Sequence, residues 1–334
     1  MRTRVTREDV AREAGTSVAV VSYVINDGPR PVSKALREKV LAAIDKTGYQ
    51  PNSIAQSLAR GSSNTYGFVV PNITNPFIAS IAHALEERVF AGKGVLLLGD
   101  SADDKGRELE IIRNFLSRQV DGIIYMGVDQ DLHLDVIKAA GTPVVVFTHA
   151  HSDGVTASVR VDERAAGEAG TQHLIQHGYR RIGLIAGPTH MMNTWERLAG
   201  WQAALSATDT AQAGPIEHAE YSRDGGYAAA TLMTKVGPLP DAVFASNERQ
   251  ALGALAAFCD AGFRVPDDVA LLCFNGTGEA RFSVPSLATI EQPVAEMAAR
   301  ALDILRDPKA YDVGPVGFDF ELVPRASCGC PNRR

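Results

Sequence analysis

Two periodicities divide the chain. Through the first 60 residues apolar side chains recur every three or four positions; from about residue 65 they come in short unbroken runs separated by longer amphipathic stretches. In the first part, Thr6 is placed as a helix N-cap with Asp9 three residues on, and Val10, Ala11 and Ala14 share one face before Gly15 stops the helix. Ser17 caps a second predicted helix whose inward positions are Val21 and Val24, with Val20 or Ile25 beside them. A third runs from a Ser33 cap through Leu36, Val40, Leu41 and Ile44 to "TGYQP". The stretch "PNSIAQSLARGSSN" predicts a further helix, with Ile54, Ala55, Leu58 and Ala59 on its apolar side, too short to be stable alone.

A small Ala11, a glycine four residues later, and valines six and nine residues after that glycine have the spacing of a helix-turn-helix. Val21 and Val24 are then needed in the core. Val18, Ala19, Ser22 and Tyr23 project elsewhere on the second helix and are free to touch something else.

The body alternates strand-like and helix-like stretches: "TYGFVVP", "GVLLLGD", "DGIIYMG", "PVVVFTH", then "RIGLIAG", "DAVFASN" and "DVALLCFN". Continuous apolar strands between helices imply parallel sheets covered on both faces, and two successive series imply two lobes. Ligands of open parallel sheets bind beyond the carboxyl ends of the strands. That rule singles out Asn72, Asn75, Asp100, Gly127, Thr148, His149, Gly187, Asn247, Glu248 and Asn275, facing one another across a cleft.

Charge sharpens the division. The first 60 residues hold 10 Lys and Arg against 6 Asp and Glu, a net of +4, while the remainder holds 23 against 33, a net of -10. A basic head on an acidic body is the footprint of a polyanion-binding module attached to something else. The 334 residues suffice for two or more domains. No charged start precedes a long apolar run and no stretch approaches the ~18 to 20 apolar residues of a membrane span, so a cytoplasmic location without membrane contact is expected. Cys259 and Cys273 fall in apolar runs and read as core residues; "SCGCP" pairs Cys328 with Cys330, but C-x-C alone lacks the remaining ligands of a zinc site, so neither metal nor cofactor is expected.

"VTREDVAREAG", "VSYVIN", "VSKALREKVLAAIDKTGYQPNSIAQSLA" and "TYGFVVPNITNPF", in that order, resemble the lactose and galactose repressor (LacI/GalR) family, and the match runs along essentially the whole chain. The resemblance implies an N-terminal all-α helix-turn-helix head with a hinge helix, joined to an α/β periplasmic-binding-protein-like body of two lobes with parallel sheets. The expected divisions are 1–50 for the head, 51–64 for the hinge and linker, and 65–334 for the body. Lobe 1 takes about 65–161 plus 291–320, and lobe 2 about 162–290 plus 321–334.

Carried over residue by residue, Val18, Ala19 and Tyr23 face bases, while Ser17, Ser22 and Asn26 face phosphates, with Thr6 also in the DNA-binding set. Leu58 is the minor-groove wedge with Asn52 and Ala55 beside it. Family positions add Phe77, Asp162, Arg197, Tyr221 and Gln292 to the effector set. Tyr23 stands where the family very often has Arg, which reads guanine bidentately as Tyr cannot. Thr148, Glu248 and Asn275 stand where sugar-binding members often have Asp, so the effector is expected to be a sugar read differently or another polar metabolite.

The expected function is a sequence-specific DNA-binding regulator of repressor type, a homodimer on double-stranded operator DNA, controlled by a small effector between the lobes. The alternative is a small-molecule sensor with non-specific DNA binding. An enzyme lacks its motifs: no GxGxxG between strand and helix, no GxxxxGK[ST], no GxSxG and no HExxH. His83, His173 and His177 lie in helical stretches and read as surface or structural. "CPNRR" lacks an apolar heptad, so no coiled-coil tetramerisation tail is expected.

Overall fold

The computed structural model describes residues 5–26, 28, 30–50, 61–129, 131–147, 156–311 and 314–331. The chain forms two compact units, Met1–Ser63 and Asn64–Arg334. In the first, α1 (Arg7–Ala14) opens on a capping box: the Thr6 hydroxyl accepts from Asp9 N, and the Asp9 carboxylate accepts from Thr6 N at 2.9 Å. Those Thr6 hydrogen bonds hold the Asp9 carboxyl below the usual carboxylate range. Gly15, at φ 63°, ends the helix in the left-handed conformation. Next come α2 (Val18–Asn26) and α3 (Lys34–Thr47).

Val10, Ala11, Val21, Val24, Val40, Ala43 and Tyr49 form the buried core of this unit. Two details depart from the sequence pattern. Leu41 is 46% exposed, because the inward stripe of α3 runs through Val40, Ala43 and Ile44 and leaves Leu41 about a quarter-turn off it. Ser33 occupies the N-cap position, but its side chain makes no cap hydrogen bond.

The second unit holds two six-stranded sheets. The chain lays down β1 (Thr65–Val70), β2 (Val95–Asp100), β3 (Gly122–Tyr125), β4 (Val144–Val146) and β5 (Ala157–Val161) in the first sheet, then β6 (Arg181–Ala186), β7 (Gln212–His218), β8 (Ala242–Ala245), β9 (Ala270–Phe274) and β10 (Ala288–Glu291) in the second. It returns once to each sheet, through β11 (Pro315–Phe318) beside β5 and β12 (Glu321–Val323) beside β10. The orders are β11-β5-β4-β3-β1-β2 and β12-β10-β9-β8-β6-β7; pairing is parallel except between β10 and β12. The chain therefore crosses between sheets three times, after β5, after β10 and after β11.

Helices α4 (Pro76–Ala91), α5 (Lys105–Ser117) and α6 (Leu134–Ala139) connect the first sheet. Helices α7 (Glu163–Gln176), α8 (Met192–Ser206), α9 (Arg223–Lys235), α10 (Glu248–Asp260) and the short α11 (Gly278–Phe282) connect the second. α12 (Val294–Arg306) follows the second crossing and packs back on α4 and β5. Strands such as β9 are buried along their whole length, as a sheet covered on both faces requires. Cys273 lies in that strand and is buried, whereas Cys259, read from the sequence as core, is exposed: the inward face of α10 passes through Ala254, Ala257 and Phe258 and turns Cys259 outward.

Candidate functional site

The two sheets of the body point their strand carboxyl ends at a shared cleft of about 980 Å³, part of it open to solvent. Eight residues expected from the sequence line it: Asn75, Phe77, Gly127, Arg197, Tyr221, Asn247, Asn275 and Gln292. Two are also helix caps. The Asn75 Oδ1 accepts from Phe77 N at 3.1 Å to start α4, and Asn247 Oδ1 accepts from Gln250 N at 2.7 Å to start α10. With their oxygens held by backbone, these side chains have amide N–H groups left for a ligand.

Arg197 is 2% exposed. Its Nε donates to Glu163 Oε2 at 2.5 Å, one Nη donates to the Ser246 carbonyl, and the guanidinium lies 3.9 Å above the Phe274 ring. Burial works against the charge, but Glu163 outweighs it and the guanidinium holds its proton more firmly than a free arginine. Arg197 is thus a pre-positioned wall of the cleft rather than an uncommitted fork.

Tyr221 donates to Asn193 Oδ1 at 3.0 Å and shares a hydrogen bond with Thr194 at 3.0 Å. Burial pushes its phenol above the ordinary value despite the opposing charge of Arg197, so it stays a neutral hydroxyl. Asn275 adopts φ 63°, a left-handed conformation Asn tolerates, and accepts from Gln292 Nε2.

Other expected positions do not line the cleft. Asn72 closes its own turn, accepting from Thr74 and donating to Asp103 at 2.9 Å. Asp100 accepts from Ala102 N at 3.0 Å, and Asp162 caps α7 by accepting from Ala165 N at 2.8 Å. Glu248 is buried, and both its oxygens are used by Thr277 N, the Thr277 hydroxyl and Ala280 N at the start of α11. Burial nevertheless raises its pKa above the usual carboxylate value. Gly187 does not line the cleft either. Thr148 and His149 lie outside the described residues.

Sequence reasoning missed several lining residues. Met126, Met191, Met192 and Met297 are four of the six methionines in the chain, and thioethers adapt their shape to irregular ligands. Phe147 and Val159 extend the apolar wall, while Asp129, Arg160, Glu163 and Asn193 add polar groups. The Met191-Met192 doublet shortly after β6 was the one available signal. Nothing in sequence spacing shows that Glu163, beside the cap Asp162, reaches Arg197.

In the head, Ser17, Val18 and Ala19 at the start of α2 are exposed, and Val18 is 40% exposed although apolar. Ser22, Tyr23 and Asn26 are half-buried; Asn26 Nδ2 donates to Ser22 Oγ at 3.2 Å, and the Tyr23 ring lies against Gly28. The exposed face is short, uncharged and apolar or hydroxylated, chemistry suited to thymine methyls and phosphate oxygens. Thr6 is exposed, with its hydroxyl in the capping box. Asn52, Ala55 and Leu58 lie outside the described residues.

Comparison with known proteins agrees with both halves. The sequence profile described as "Bacterial regulatory proteins, lacI family" matches residues 6–52, and that of a "Periplasmic binding protein-like domain" matches residues 171–328. Catabolite control protein A of Priestia megaterium is 32% identical over 304 residues, covering 90% of this chain and 91% of that protein. The transcriptional repressor PurR of Photobacterium profundum is 31% identical over 323 residues, 96% of each chain. Among solved structures, the lac repressor dimer bound to operator and the anti-inducer ONPF superposes with a TM-score of 0.84 at 26% identity, covering 98% of this chain and 99% of that one. The complex of the transcriptional regulator CelR with cellobiose gives 0.71 at 28% identity, covering 97% and 100%.

Proposed function

The chain belongs to the lacI family of bacterial regulatory proteins, and from that premise we propose a homodimeric repressor whose hold on a pseudo-palindromic operator is set by a small metabolite bound between the lobes. One head offers one recognition helix, which reads only a few base pairs; two-fold pairing of heads on two half-sites is the usual solution. Val18, Ala19 and Tyr23 read base edges, Ser17, Ser22 and Asn26 hold phosphates, and Leu58 unstacks a step in the minor groove with Asn52 and Ala55 beside it. Thr6 helps fix α1 against the backbone. The protein acts on chromosomal DNA in the cytoplasm.

The observation that carries the effector reading is the cleft itself: Asn75 and Phe77 from one lobe and Arg197, Tyr221 and Asn247 from the other line one cavity. A molecule touching both sides favours the closed arrangement over the open one, and only such differential contact can move the equilibrium. Aromatic and thioether walls with amide donors suit a hydroxylated ring with one apolar face. A carbohydrate is the class favoured, as in the CelR complex with cellobiose. Effector-driven movement of the lobes then alters the separation of the two hinge segments at 51–64 and with it operator affinity.

The test is a metabolite screen by thermal shift on the full chain, followed by titration of each hit against operator-bound protein. A true effector is expected to bind at least ~10-fold more weakly to Phe77→Ala, the loss of about 1.4 kcal/mol or more that a stacked ring contributes, and to change DNA retention. Hits that bind Phe77→Ala and Gln292→Ala as tightly as the wild type, or that leave DNA retention untouched, contradict the cleft as the control site.

A further inference from the structure

Beyond β12 the chain is tied into the second lobe. Arg325 donates to the Leu287 carbonyl at 2.8 Å and pairs with Glu291 at 2.7 Å, while Ser327 Oγ donates to the Leu271 carbonyl and accepts from Ala288 N. A single 3-10 turn, Ala326–Cys328, follows, and Gly329 at φ 88° then reverses the backbone. A side chain at 329 is strained by that φ, and its Cβ would stand 2.9 Å from the Tyr179 hydroxyl. The reversal brings the two sulfurs of Cys328 and Cys330 to one place.

Opposite them are His173, in the last turn of α7, and His177, its C-cap, one turn further on. His173 Nε2 lies 3.2 Å from Cys328 Sγ and 3.9 Å from Cys330 Sγ, and His177 Nε2 lies 3.0 Å from Cys330 Sγ. The two imidazoles meet edge to face with centroids 4.6 Å apart. One donor atom from each of the four side chains falls within 4.8 Å of all the others. The expectation that Cys328 and Cys330 lack further ligands is therefore corrected: the fold supplies two histidines from a helix about 150 residues upstream, which no local spacing could announce.

We propose that His173, His177, Cys328 and Cys330 form a Cys2His2 site for a thiophilic divalent cation, zinc first among them. With Zn–S near ~2.3 Å and Zn–N near ~2.0 to 2.1 Å, a tetrahedron has donor-to-donor edges of about 3.3 to 3.8 Å. Three of the six separations, at 3.0, 3.2 and 3.9 Å, bracket those edges, and all six lie within 4.8 Å. H-x3-H on a helix is a common half of such a site, and two thiolates balance a divalent charge. The Tyr179 hydroxyl lies 3.4 Å from the Cys328 carbonyl and braces the turn from outside the ligand set.

Four protein ligands leave no open position, so the ion is structural. It fastens the C-terminal turn to α7, the helix whose opposite end carries Asp162 and Glu163 at the lobe crossing and the cleft.

The test uses the full chain, reduced and freed of metal by a chelator, titrated with Co2+ and then with Zn2+. Expected are uptake of one ion per chain, the intense visible bands of tetrahedral cobalt with a thiolate charge-transfer band, displacement by zinc, and a higher melting temperature with zinc. His177→Ala and Cys330→Ser change the less buried ligands, so their metal-free forms are expected to melt as the metal-free wild type does. Each is expected to bind zinc at least about 100-fold more weakly, since even loss of an outer partner costs ~10- to 100-fold. No saturable uptake by the reduced wild type, a six-coordinate cobalt spectrum without thiolate bands, or equal affinity in both variants overturns the site.

Discussion

Arg197 brings a full charge to a place where only 2% of it is exposed, and Glu163 is what makes that tenable. Removing one partner of a buried pair costs about 3–5 kcal/mol, because the other charge is left unmatched. Glu163 is 14% exposed at its side chain, so water screens part of that loss and Arg197→Met is expected near the lower end, about 3 kcal/mol by chemical denaturation. Adding Glu163→Gln is expected to recover part of it. A single variant within about 1 kcal/mol of wild type would mean the pair contributes no stability. The sequence marked Arg197 but not its state: a guanidinium's partners depend on which helix start faces it, and Glu163 became its partner only through the packing of α7 on α8. Asn75 and Asn247 were legible for a better reason, since a polar residue between strand end and helix start is a cap wherever the sheet places it.

Helix pairs in the second lobe cross closely. A Cβ at Gly253 of α10 would stand 1.9 Å from the Arg223 carbonyl oxygen of α9, and backbone cannot swing aside as a side-chain tip can. Gly253→Ala is expected to lower stability by about 2 kcal/mol or more through overpacking. Gly278→Ala, with nothing within 4 Å at the start of α11, is expected to be neutral or to gain up to about 1 kcal/mol. Paired urea melts settle it: equal midpoints would contradict the close crossing. The strands named from sequence were those with unbroken apolar runs, including β1, β6 and β9. β7 and β11 escaped because as sheet-edge strands they alternate or carry Pro and Gly, β12 because three residues carry no pattern, and the inner strands β5 and β10 because Ser158, Arg160, Thr289 and Glu291 break their short apolar runs.

At the scale of the whole molecule, Phe282 at the end of α11 is 78% exposed and Val284 just after it 82% exposed. The proposed repressor requires a second copy of the chain, and these two side chains are the contact proposed for it. Phe282→Ser with Val284→Ser is expected to shift the dimer toward monomer in sedimentation and to weaken operator binding. An unchanged sedimentation coefficient would place the dimer contact elsewhere. Net charge made the division of labour legible before any coordinates: a head of +4 meets a polyanion, while a body of -10 is repelled by it and is left to sense something else.

Every role proposed for the cleft depends on sequence-specific recognition of DNA by this head. It is tested most directly by letting the purified full chain select genomic fragments at two salt concentrations and sequencing what is retained. A shared palindrome with two similar half-sites is expected, persisting at the higher salt, with an altered base preference at the position facing Tyr23. Salt-sensitive retention of fragments with no common sequence would contradict it and reduce the head to a general polyanion-binding module.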